Sequence, residues 1–426
     1  GGFFPAVSLG WRLSQEAFMD TYRDRVGDLK LRASYGMNGN QQDVGNYDFI
    51  TTYGLWQNAY GFNGKPVQGL MFTMGNEFLT WETSKTFNIG LDATFFKNRL
   101  SVNFDYFYKR TEDILLNPIV PGTFGASIAK ENRGILDNQG WELTINYNLT
   151  HGAWKHNFSF NIADSKNELV RYGTRDIHAN DGVTVLRQEG LPLNAYYGYK
   201  TNGFFQNYEE IENAAIPTTI DRTQLRPGDV RYVDLNKDGK IDEEDRTYLG
   251  YGFPRYTFGF NYNVAWKGID LGIMLQGVLK RTNAIRGELV EPFHSDYSMT
   301  MFKHQLDYWS PENRDARWPR LSASGSVSTQ NNWGQAGSEL NMIDGAYLRV
   351  KNIQVGYTFP QKWTKKFGCQ SLRIYFAAQN PLTWTKYDFV DPETSEFGSN
   401  MGRGGANSVR NYPTLRYFGG GIDLTF

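Results

Sequence analysis

The chain is poor in the residues on which most catalytic and metal chemistry depends. Its 426 residues include one cysteine, Cys369, and five histidines. A lone cysteine forms no internal disulfide, and no nucleophile or ligand constellation surrounds this one, so it reads as an inert thiol. His151, His156, His178, His294 and His304 are scattered, without HExxH spacing or a paired nucleophile motif. An enzyme such as an outer-membrane protease or lipase would need such a cluster, so the chain is not expected to be one. An excess of either charge is also missing. The 44 basic and 45 acidic residues leave a formal charge of -1, which removes any global case for nucleic acid or an anionic surface as partner. No run of 18 apolar residues occurs, so no transmembrane helix is expected.

Aromatics and period-two alternation are present instead. Aromatic residues make up 15% of the chain. Its last ten residues, YFGGGIDLTF, place Ile422, Leu424 and Phe426 on one face of a strand and polar or small residues on the other. A transmembrane β-barrel needs such strands, with an apolar outer face and a polar lumen. The same alternation runs through Phe87, Ile89, Leu91, Ala93 and Phe95, then, after Lys97-Asn98-Arg99, through Leu100, Val102, Phe104, Tyr106 and Tyr108. Two such strands around a tight polar turn predict a hairpin. Further hairpins are predicted at Trp141–Leu149 with Phe158–Ile162, at Tyr256–Val264 with Ile269–Leu275, and at Ile353–Phe359 with Leu372–Phe376. A one-residue break near Lys351-Asn352 predicts a β-bulge. Trp141, Tyr262, Trp266 and Tyr357 fall at strand ends, where an interfacial girdle sits.

The other connections are long, at about 111–138, 166–195, 202–252, 281–346 and 381–415. Short turns on one side and long loops on the other predict an all-β, transmembrane antiparallel barrel of roughly 12 to 14 strands in this chain. The short side then faces the periplasm, and Asn103, Asp105, Glu142, Thr144, Asn146 and Asn261 face the lumen. A soluble β-sandwich or propeller would have shorter strands.

One loop has the spacing of a cation site. Asp234, Asn236, Asp238, Asp242 and Asp245 occupy positions 1, 3, 5, 9 and 12 of a twelve-residue calcium loop, with the Lys240 carbonyl at position 7 and Gly239 at the sharp turn. The all-oxygen set favours Ca2+. Aspartate in place of glutamate at position 12 predicts weaker affinity than in a sensor. The bland alternative is a solvated acidic loop. Gly402-Arg403-Gly404-Gly405 is glycine-rich but lacks the Lys-Ser/Thr of a phosphate loop. The long loops also hold Trp56, Tyr60, Phe62, Tyr297, Trp309, Trp318, Trp333, Trp384 and Tyr387. Of these, Trp309, Trp318, Trp333, Trp384 and Tyr387 are the candidates for contact with a sugar or peptide, because aromatic faces beside hydrogen-bonding groups suit both.

With the strands placed, six stretches resemble the SusC/RagA family of TonB-dependent outer-membrane transporters. They are Leu29–Gln41 (LKLRASYGMNGNQ), Trp81–Asp92 (WETSKTFNIGLD), Asn132–Glu142 (NRGILDNQGWE), Pro227–Asp242 (PGDVRYVDLNKDGKID), Asp344–Ile353 (DGAYLRVKNI) and Tyr412–Tyr417 (YPTLRY). They follow the family's order along almost the whole chain. The resemblance implies a barrel of about 22 strands, of which residues 1–426 supply the carboxyl-terminal part. It also implies a plug domain and TonB box, neither present in this chain, which opens at Gly1 without Met. From the same resemblance come a SusD-like surface lipoprotein as partner, energy coupling through TonB, and residence in outer-membrane lipid. The expected function is oligosaccharide import, with peptide import of the RagA type as an alternative and a non-transporting adhesin or scaffold as another.

Overall fold

In a computed structural model, alternation in sequence becomes segregation in space. The structure describes residues 2–21, 26–118, 120–173, 175–180, 183–295, 300–335, 337–394, 406–408 and 412–426. The glycine-rich run 402–405 and Tyr297 lie outside the described residues. Two compact units are formed: one from Gly1–Leu143, Ser165–Asp176 and Arg187–Leu193, the other from Thr144–Asp164, Ile177–Leu186 and Asn194–Phe426. Among the described residues, eleven strands carry the main antiparallel ladders, and the other described strands lie in the connections.

In the first unit, Ala6–Arg12 pairs with Val26–Asn40, which pairs with Glu82–Phe95, which pairs with Leu100–Leu116. The predicted hairpin is therefore present. Its turn takes in one residue more than expected, because Phe96, Lys97 and Asn98 all have positive φ. One face of these strands exposes Leu31, Tyr35, Phe87, Ile89 and Phe104. Moving such a side chain out of water contributes about 1.5–3 kcal/mol, which a lipid environment on this face would supply. The opposite face carries charge. Arg32 donates to Asp92 through Nε at 2.8 Å and to Asp105 through Nη2 at 2.9 Å, while Asn103 donates to Asp92 at 2.9 Å. Gly90 lies beneath this bridge, and a Cβ there would come within 2.6 Å of Arg32 Nη2. The missing side chain lets one guanidinium reach across the intervening strand.

The second unit repeats the device. Arg255–Trp266 pairs with Ile269–Lys280, followed by Tyr347–Thr358, Ser371–Thr385 and Tyr417–Thr425 in ladder order. Ile269, Val355, Ile374, Phe376, Ile422 and Leu424 are exposed on one face. On the other, Arg373 binds Asp270 at 2.6 Å and Asp423 at 3.1 Å. Here Gly356 makes the room, since a Cβ on it would lie 2.7 Å from Asp270 Oδ1. The turn at Lys267-Gly268 has both φ positive, at 45° and 92°, the type I′ geometry that matches strand twist. The predicted bulge is present: the register shifts between Val350 and Asn352, leaving Lys351 unpaired in the ladder.

Two features differ from the sequence reading. Strands run past the expected loop boundaries, ending at Leu116 and starting again at Glu131. Thr52–Phe62 and Lys65–Met74 form a further hairpin through Asn63-Gly64, both at positive φ. That Asn-Gly pair is a strong short hairpin signal, although the alternation in the strands on either side of it is weak.

The long connections of the second unit are folded. Val183–Arg187, Ala195–Tyr199 and Arg246–Gly250 pair in order. One core gathers Tyr199, Val230, Tyr232, Ile241, Ile285 and Leu289 among others, and another Phe205, Ile211, Ile220 and Leu225.

Candidate functional site

The loop Asp234–Asp245 is closed by its own carboxylates. Asp234 accepts from the N–H of Lys237 at 2.6 Å and of Gly239 at 2.8 Å, Asn236 from Asp238 at 3.1 Å, and Asp238 from Lys240 at 3.1 Å. Lys237 and Gly239 take the positive φ that these turns require. Asp245 is fully buried and accepts from Leu235 at 2.7 Å and from Asp242 at 2.9 Å. The Lys240 ammonium sits 2.9 Å from Asp242 and 3.4 Å from Asp238. The Glu244 N–H, and after it Lys240, hold the Asp242 carboxyl below the usual carboxylate range, while Asp242 and Asp238 raise Lys240. Among the described residues, no three His, Cys, Asp or Glu side chains already converge on a metal-sized point. The side-chain donors of the loop are nevertheless nearly all oxygen, from Asp234, Asn236, Asp238, Asp242 and Asp245.

The five aromatic candidates divide by burial. Trp309 and Trp318, expected as ligand contacts, are only 8% and 3% exposed. The indole of Trp309 donates to Gln206 at 3.3 Å, and that of Trp318 donates to the His304 carbonyl at 2.9 Å. Both rings serve loop packing, because their apolar faces are already covered by protein. Trp333 is half-buried and lies 6.0 Å from Trp318. Tyr387 is half-buried under Arg317 and stands edge-on to Phe389. His304 stacks on Phe389 at 3.9 Å and donates to the Leu289 carbonyl at 3.0 Å. Burial holds its imidazole below the usual range, so it packs as a neutral ring. Trp384 alone of the five is open, at 53% exposure, on the strand Ser371–Thr385.

Local reading of the sequence missed a charged cluster beside these rings. Arg349 is buried and donates to Asp391 at 2.9 Å, to Glu393 at 2.8 Å and to Thr383 at 2.9 Å, while Lys351 reaches Glu393 at 3.0 Å. Asp391 and Glu393 lie about forty residues further along the chain. The only available signal was a charged Arg-x-Lys on a strand otherwise rich in apolar residues. A cleft of about 400 Å3 opens next to the cluster, with Thr383, Thr385, Asp388, Phe389 and Arg416 in its wall. These groups can hydrogen-bond and stack, and no nucleophile paired with a base is among them.

The sequence profile described as TonB dependent receptor-like, beta-barrel matches residues 1–380. The chain belongs to this TonB-dependent receptor β-barrel family. It is therefore an outer-membrane β-barrel chain, from a family of transporters and not of enzymes. It is similar to TonB-dependent receptor P3 of Formosa agariphila, with 30% identity over 441 residues covering 100% of this chain and 42% of the relative. It is also similar to TonB-dependent receptor SusC of Bacteroides thetaiotaomicron, at 26% identity over 92% of this chain and 38% of that one. The chain thus spans about two-fifths of the length of these curated relatives. Among solved structures, the RagAB peptide transporter superposes with a TM-score of 0.72 at 23% identity, covering 99% of this chain and 43% of that one. This likeness shows the fold.

Proposed function

We propose that this chain is the carboxyl-terminal barrel part of a TonB-dependent importer that takes up oligosaccharides with a SusD-like lipoprotein over its mouth. The family match across residues 1–380 carries this reading. The likeness to SusC over 92% of the chain supports the oligosaccharide class, and Thr383, Thr385 and Asp388 in the cleft wall offer a sugar hydrogen-bonding groups. A peptide is the second reading, favoured by the cargo named for the RagAB transporter.

The test is deletion of the gene in its host, followed by growth on panels of oligosaccharides and of peptides, with complementation by full-length protein. Loss of growth on one oligosaccharide class, restored only when TonB is functional, is the expected result. Loss on peptides alone would establish the second reading. Unchanged growth on both, with loss of surface attachment, would leave an adhesin or scaffold.

We propose further that the loop of Asp234, Asn236, Asp238, Asp242 and Asp245, with the Lys240 carbonyl, binds Ca2+ and stiffens this long loop. Binding requires Lys240 to swing away from Asp238 and Asp242, and the position-12 aspartate is short. Both place the dissociation constant at about 10−4 to 10−3 M, the range of extracellular modules. Calorimetric titration of the full-length protein should show that value, with Asp238→Asn weakening it and Lys240→Gln strengthening it. No heat at millimolar Ca2+, with the loop intact by hydrogen exchange, would end the proposal.

A further inference from the structure

The connection Phe359–Gln370 is unlike the other short turns. It holds a helical turn, Gln361–Thr364, then a 3-10 turn, Lys365–Phe367, ended by Gly368 at φ 73°. The buried Thr364 pins it, its hydroxyl lying 3.3 Å from the Gln361 carbonyl, while its own carbonyl accepts from Cys369 at 3.2 Å. The turn is fixed from inside, yet its apolar groups face outward. Trp363 is 50% exposed and Phe367 81% exposed. Lys362, Lys365 and Lys366 are also exposed, and no Asp or Glu occurs from Tyr357 to Ser371. Among the described residues none of the three lysines has an ion-pair partner.

This surface continues an aromatic band. Trp363 lies 6.5 Å from Phe359, which meets Tyr357 edge-on at 4.9 Å. The Thr358 N–H donates to the Gly268 carbonyl at 2.7 Å and so ties in the neighbouring turn. There Lys267 lies over Trp266, which stacks on Trp154 at 5.1 Å. Rings on the barrel side and unpaired ammonium groups beyond them match the boundary between acyl chains and headgroups.

We propose that Phe359–Gln370 is a membrane foot that binds the phosphodiester headgroups of anionic phospholipid in the periplasmic leaflet. Trp363 and Phe367 enter the interface, and Lys362, Lys365 and Lys366 pair with the phosphates. The leaflet follows from the chain being an outer-membrane barrel, whose short turns face the periplasm. The reading is independent of what the barrel carries.

The test is hydrogen exchange of the 359–370 peptides in full-length protein, reconstituted in nanodiscs of zwitterionic phospholipid with and without phosphatidylglycerol. Exchange should slow on the order of tenfold when the anionic lipid is present, as expected for several lysines near a charged surface. Lys362→Gln, Lys365→Gln and Lys366→Gln together should abolish that difference while 371–385 exchanges as before. Phe367→Ser should speed exchange in both lipids. Equal exchange in the two discs, or a triple variant that keeps the difference, would overturn the proposal.

Discussion

Gly198→Ala is expected to unfold the loop layer of the second unit while leaving the membrane strands paired. Gly198 sits in Ala195–Tyr199, a strand buried at every position. Tyr199 donates its N–H to the Gly337 carbonyl at 2.7 Å. A Cβ on Gly198 would overlap that carbonyl and lie 2.7 Å from Gly337 Cα. The obstacle is backbone on both sides, so no rotamer relieves it, and the two segments must separate. Overpacking of this kind costs about 3 kcal/mol. Separation would also open the core of Tyr199, Val230, Tyr232 and Ile285. Gly337→Ala should be as harmful, because its φ of 72° disfavours any side chain and a Cβ would meet the Tyr197 carbonyl. Gly54→Ala is the control, since nothing lies within 4 Å of a Cβ there. Hydrogen exchange on peptides from 183–250 and 255–280 separates the layers. Unchanged protection of 183–250 in Gly198→Ala would show that the close approach is not needed for the fold.

Arg349→Ala should cost about 3–5 kcal/mol of local stability, the penalty for removing one partner of a buried ion pair. The Arg349 and Asp391 side chains are each 5% exposed, and Glu393 is 17% exposed. Without the guanidinium, two carboxylates remain in the cluster with Lys351 alone, so the penalty comes mainly from stranding charge. Arg349→Lys should recover part of the loss, because it restores charge but not the three-way fork to Asp391, Glu393 and Thr383. Arg12→Ala provides the contrast. Its pair with Asp28 is 58% and 43% exposed, and such pairs contribute about 0–1 kcal/mol. The readouts are urea unfolding and exchange across 387–394. Equal, small effects in Arg349→Ala and Arg12→Ala would show that water reaches the Arg349 cluster freely.

Much of the strand architecture was legible because its code is local. A period of two places Phe87, Ile89 and Leu91 on one face wherever the strand lies, and a one-residue break at Lys351 has to appear as a bulge. Hairpin pairing followed from adjacent alternating runs, as at Trp266 and Ile269. The spacing over Asp234–Asp245 proposes a cation loop from twelve residues, but it does not show how these carboxylates turn onto backbone N–H groups. The Asn63-Gly64 hairpin shows the limit even for local codes, since its turn pair stands between strands whose alternation is weak.

What the sequence by itself determined is therefore the alternation of faces, the short turns and the family-specific stretches that identify the barrel. Tertiary structure alone decided which aromatics are spent on packing: Trp309 and Trp318 look like Trp384 in sequence, but only Trp384 stays open. It also decided that Arg349 meets Asp391 and Glu393, that Arg373 reaches Asp270 from 103 residues away, and that Gly90 and Gly356 are the gaps through which such arms pass. The reason is physical: faces and turns are set by backbone geometry over a few residues. Burial and charge pairing depend on which distant strands and loops come together, and a local pattern does not encode that.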